Sequence, residues 1–113
     1  MNPHMKATQE VLNDFFGSIL DVIARNSSKK YGLVIFQNMK KKLRRDFSFL
    51  NKIKIGGNEV HIDKSINNVD KKKIRALLKK IIEILGTDVL KLLVKEQLGR
   101  EDIEYLNQIG VRL

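Results

Sequence analysis

Five basic side chains occupy six consecutive positions in QNMKKKLRRDF, residues 37–47. Phosphate groups are the natural counterpart of such a run, because Lys and Arg gain affinity by releasing counterions from a polyanion. At 100° per residue, Lys40, Lys41, Arg44 and Arg45 fall in one helical sector about 140° wide. Gln37 lies inside that sector, Lys30 joins it two turns earlier, and Lys42 falls on the far flank. A helix with Arg, Lys and Gln along one side has a shape suited to a nucleic-acid groove. The competing reading is a solvated helix face. Lys, Ile and Asn, all with A/T-rich codons, make up 38 of the 113 residues, so codon bias alone inflates lysine. No aromatic lies within the basic sector to stack bases. Zinc-finger, RRM and helix-turn-helix patterns are missing from the sequence.

A second basic constellation is NNVDKKKIR, residues 67–75. Asn67 or Asn68 is the expected N-cap of a helix, with Asp70 in its first turn. Lys71, Lys72 and Lys73 would then stand beside free backbone N–H groups, which together form an anion site. Against this, nothing glycine-rich here shapes a phosphate cradle, and the lysines can simply point into water.

Groups for catalysis are sparse. Glu59 and His61 share the polar face of an expected hairpin and form the one acid–base pair at close spacing. Ser27, Ser28, Ser48 and Ser65 have no activating neighbour, and a lone His without Cys makes no metal site. The expectation is therefore a non-enzymatic protein without cofactor or metal.

The net charge is +9, and it is concentrated. Residues 28–80 carry +12, while both ends are slightly acidic. Such asymmetry implies an anionic partner: nucleic acid, phosphate, a membrane surface or an acidic protein face. There is no cysteine, no apolar run of membrane-spanning length and no secretory signal, so a cytoplasmic location is expected. Met1–His4 read as cloning-site residues, His-Met being a common scar, with a single domain over residues 5–113.

The elements that must position these groups follow from apolar periodicity. Leu12, Phe15, Phe16, Ile19, Leu20 and Ile23 predict a first helix over residues 8–25, capped by Thr8. A second, capped by Ser28, is predicted from Lys29 to Phe47, with a buried strand over residues 31–36 as the alternative. KIKIGGNEVHI, residues 52–62, alternates as a hairpin whose two-residue turn falls at Gly56-Gly57 or Gly57-Asn58. After residues 63–67, a third and central helix runs to about Leu85, ended by Gly86. Thr87 caps a short fourth helix ending near Gly99, and a fifth spans Glu101–Ile109, closed by Gly110. The fold class is α+β, mostly α: about five helices with one β-hairpin between the second and third.

The "IKI-GGN-EVHID" hairpin between helices, followed by IRALLKKIIEILGTDVLKLLVKEQL, resembles small helical modules of archaeal sensory and signal-transduction proteins. The likeness spans most of residues 10–98 and implies a regulatory or interaction role. Those modules are generally acidic, so the basic centre here departs from their pattern, and no site residue carries over.

Wide apolar faces on the first, third and fourth helices, the last bearing Val89, Leu90, Leu93, Val94 and Leu98, give the first reading. It is a regulatory or protein-interaction domain that self-associates, most simply as a homodimer. The alternative is a nucleic-acid-binding domain using the basic stripe.

Overall fold

The computed structural model describes residues 6–56, 59–85 and 88–113, except the side chains of residues 26, 56, 85 and 88–90. Five helices are described: α1 (Thr8–Asn26), α2 (Lys29–Leu43), α3 (Lys71–Leu85), α4 (Asp88–Gln97) and α5 (Arg100–Gln108). An antiparallel hairpin, β1 (Ile53–Gly56) and β2 (Glu59–Ile62), lies between α2 and α3, flanked by 3-10 turns at Ser48–Lys52 and Lys64–Asn68. The chain is thus an α+β protein, mostly α.

α1 is the central element, a place expected for α3. Val11, Leu12, Phe15, Phe16, Ile19, Leu20 and Val22 are all buried, and they cover about half the helix circumference at 100° per residue. Such a face needs several neighbours, and α1 packs against α2, α4, α5, β2 and the second 3-10 turn. α3 buries a narrower stripe of Ile74, Leu77, Leu78 and Ile81, because six Lys and Arg residues occupy the rest of its surface. Ile84, near its C-terminal end, is 44% exposed.

The α1–α2 contact depends on Gly32, where an added Cβ would stand 2.9 Å from Leu20 Cδ2. Beside it the Phe16 and Phe36 rings meet edge-on, with centroids 5.4 Å apart. Residues 31–36 are helical, not a strand. Ser28 caps α2 as expected, its Oγ accepting the Tyr31 N–H at 3.1 Å.

α2 ends at Leu43, four residues before the predicted end. The Asp46 and Phe47 N–H groups both donate to the Leu43 carbonyl, closing a turn. The cause is apolar spacing: Phe47 and Phe49 are both buried, yet on a continued helix they would point about 200° apart. Leaving the helix lets both rings enter the core, 5.9 Å apart.

The hairpin register pairs Ile53 with Ile62 and Ile55 with Val60, placing the four on one face. Ile53 and Ile62 are buried; Ile55 and Val60 are half-buried against the core. Gly56 pairs with Glu59, so the connection is residues 57 and 58; the conformation of that turn lies outside the described residues. Lys52 precedes the strand in a 3-10 turn, and its Nζ donates to Ser65 Oγ at 2.9 Å.

Two expected caps are corrected by the structure. Thr8 lies inside α1, buried, with its hydroxyl hydrogen-bonded to that of Tyr105 on α5. Ala7 takes the cap position, and Glu10 Oε1 accepts its N–H at 3.3 Å. α3 is capped by Asp70, whose Oδ1 accepts the Lys72 N–H at 2.8 Å. Asn67 instead accepts the Gln9 N–H at 2.8 Å, tying the second 3-10 turn to α1, and Asn68 stays within that turn. The expected roles of Gly86 and Thr87 fall outside the described residues, as do the side chains of Val89 and Leu90. α4 buries Val94 against the core, as Leu98 just beyond it is buried, but leaves Leu92 57% exposed.

At the end of α5, Gly110 has φ +91°. Its N–H donates to Asn107 and that of Val111 to Leu106, the paired closure of a glycine-terminated helix.

Candidate functional site

α2 carries Lys29, Lys30, Lys40, Lys41 and Lys42 and not one Asp or Glu. Its buried residues, Gly32, Leu33, Phe36, Met39 and Leu43, turn one side onto α1 and leave the basic side outward. Lys40–Lys42 stand in the last turn, where the helix dipole favours positive charge; Lys29 and Lys30 stand at the disfavoured end. Among the described residues, no cation of α2 forms an ion pair: the bridges present involve Lys6, His61, Lys80 and Arg100.

Four of the nine residues expected to hold an anion come together in one cleft of about 230 Å³. Gln37, Lys40, Lys41 and Arg44 line it from α2 and the turn that follows, and Ile55 of β1 supplies an apolar wall. Its lining contains three cations and no acid. An open cleft of this kind suits a phosphate: point charges from Lys, a planar donor fork from Arg and an amide from Gln. Lys30 and Arg45 are exposed on the same helix and just beyond it, outside the cleft lining.

The three lysines of the second constellation do not join this cleft. Lys71 has its ammonium 5.7 Å from the centre of the Tyr105 ring on α5, a cation–π contact. Lys72 and Lys73 are exposed. The Asp70 carboxylate already takes the Lys72 N–H, so the start of α3 supplies its own anion.

Glu59 and His61 do meet, with Oε2 and Nε2 3.6 Å apart, but their side chains are about two-thirds exposed, at 67% and 65%. Both side chains of the pair are largely open to water. Among the described residues, no group of three or more His, Cys, Asp or Glu is placed to hold a metal ion, and no helix is long and apolar enough to cross a membrane.

One polar cluster went unforeseen. Lys6 Nζ lies 2.7 Å from Asp14 Oδ2 and 3.2 Å from Asp102 Oδ1, and Asp102 Oδ2 accepts the Gly99 N–H at 3.2 Å. Asp102 is 2% exposed. Burial pushes its carboxyl above the ordinary value and nearby Asp14 adds to this, while Lys6 pulls the other way. Lys6 is raised, chiefly by Asp14. The sequence shows Asp102 only as an acid in a first helical turn; its partner lies 96 positions away. Nearby, Gln97 Nε2 is buried without a hydrogen-bond partner among the described residues.

Compared with models of protein families, with curated proteins and with solved structures, the chain has no significant match.

Proposed function

We propose that this chain is a non-enzymatic binding domain that grips the phosphate backbone of nucleic acid along α2. The observation that carries the reading is the cleft that gathers Gln37, Lys40, Lys41 and Arg44 with no acid in its lining, on a helix that bears no acid at all. Counterion release by these cations supplies affinity without base recognition, as phosphate contacts do. Fluorescence anisotropy with a labelled duplex of about 20 base pairs at about 50 mM salt tests it; non-specific binding of this kind is micromolar or weaker at physiological salt and tightens as salt falls. Binding that is lost in the Lys41→Glu/Arg44→Glu variant is expected, and no binding at low salt refutes the proposal.

A regulatory interaction role, which the helical layout suggests, is the second reading. It is favoured by Tyr31 and Val34, which stand one turn apart on α2 at 54% and 46% exposure. Among the described residues, the apolar faces of α1 and α3 are largely spent on the core.

A further inference from the structure

The cleft beside α2 holds more than charge. α2 packs against β1, and this brings Ile55 to one side of the cleft. Ile55 is only half-buried against the core, so part of its surface is left for whatever enters. Lysine and arginine stems are themselves apolar along their length, with the charge at the tip. The cleft is therefore an aliphatic recess with a cationic rim. Lys40 is half-buried in it, whereas Lys41 and Arg44 are exposed. Among the described residues, no carboxylate pairs with any of the three.

A bare phosphate would use the rim alone. It would leave Ile55 facing water, because apolar surface gains by burial against other apolar surface. Size narrows the occupant further. At about 230 Å³ the cleft is smaller than the sites of about 300–1,000 Å³ that enclose a whole small ligand. It suits one flat part of a larger anion, with the remainder outside. A nucleobase on a phosphate backbone has this composition: apolar faces, a polar edge, and a phosphate on either side. Bases within a duplex are stacked and paired, whereas unpaired bases splay out and pack on side chains, arginine planes included. Among the described residues no aromatic lines the cleft, so Ile55 and the Arg44 guanidinium are the surfaces open to the base faces. Gln37 supplies an amide, which both donates and accepts, for the edge.

We infer that the cleft holds one unpaired nucleobase of a nucleic acid, its faces against Ile55 and Arg44, its edge at Gln37 and the flanking phosphates at Lys40 and Lys41. The inference rests on the reading of α2 as a phosphate grip. It adds to that reading a preference for a bulge, loop or strand end over uninterrupted duplex.

Fluorescence anisotropy with two labelled duplexes of about 20 base pairs tests it, at the salt used for the intact duplex. One duplex carries a single bulged thymidine; the other carries an abasic site in the same bulge, so the phosphates are equal in number and the base alone differs. The base should tighten binding by roughly fourfold or more, the equivalent of burying one methylene's worth of apolar surface. The salt slopes of the two should coincide. Ile55→Thr, which keeps a β-branched residue in the strand, should abolish the difference while intact-duplex binding and the hairpin's circular dichroism persist. Equal affinity for the base-bearing and abasic bulges overturns the inference and leaves the phosphate grip standing, as does a difference that survives Ile55→Thr. Absence of binding to every duplex at low salt overturns the phosphate grip itself, and the inference with it.

Discussion

Replacing Gly17 with alanine should stabilise this protein. Helix interiors favour alanine over glycine by about 0.5–1 kcal/mol, because glycine loses more backbone freedom on folding. That gain is usually offset wherever the new methyl meets a neighbour. At Gly17 it meets nothing within 4 Å among the described residues, and the backbone φ is not in the left-handed region. The gain should therefore appear almost whole. At about 2.1 cal/mol/K of unfolding entropy per residue, 1 kcal/mol corresponds to a rise in Tm of about 4 °C for a chain of this length. Thermal unfolding followed by far-ultraviolet circular dichroism reads the effect. Two other glycines supply controls of opposite sign. Gly32→Ala drives a methyl to 2.9 Å from Leu20 Cδ2, an overpacking cost of about 1–3 kcal/mol that outweighs the helical gain. Gly110→Ala imposes a left-handed residue at φ +91° and crowds the Arg75 guanidinium, costing about 1–2 kcal/mol. If Gly17→Ala lowered Tm, or all three changed it alike, the open space beside Gly17 would be wrong.

Three further outcomes follow from the same contacts. Thr8→Val leaves the Tyr105 hydroxyl without its partner in the core and should cost about 1–3 kcal/mol in urea unfolding; Thr8→Val/Tyr105→Phe should recover part of that loss. Asp70→Ala removes the α3 cap and should cost about 1 kcal/mol, whereas Asn68→Ala, at the position expected from sequence to cap, should cost much less. Asp102 has its folded pKa raised by burial, so its contribution to stability is fully present below the unfolded value near 4 and is lost as pH rises through the folded pKa. Asp102→Asn cannot ionise, so its stability relative to wild type should improve as pH rises from about 4 through the folded pKa of Asp102; Lys6 stays charged there because its own pKa is raised. A constant difference across that range would contradict the assignment.

The elements that were legible in the sequence are those that local pattern determines. Three- and four-residue spacing of Leu12, Phe15, Phe16 and Ile19 was enough to find α1, and the alternation of Ile53, Ile55, Val60 and Ile62 found both the hairpin and its two-residue connection. Ser28 was legible as a cap because its acceptor role is satisfied three residues away. What failed was settled at long range. Thr8 leaves the cap role because Tyr105, 97 positions on, takes its hydroxyl. Asn67 is drawn off by Gln9, 58 positions earlier. The early end of α2 was foreshadowed by the Phe47/Phe49 spacing, which a single helical face cannot bury. The basic stripe was legible on α2, but its apolar wall at Ile55 required the hairpin to fold back beside that helix. Nothing local indicated that Lys71 would turn to the Tyr105 ring rather than to the same cleft.

The central claim is that α2 grips phosphates with the cations of one cleft, and the salt dependence of duplex binding tests it most directly. Three cleft cations predict a slope of log K against log salt near −2.7, a loss of affinity of roughly 40-fold between 50 and 200 mM. Lys41→Gln and Arg44→Gln should each make the slope shallower by about 0.9, while Lys72→Gln, on α3, should leave it unchanged. Equal changes from all three substitutions, or a slope near zero in the wild type, would contradict the account.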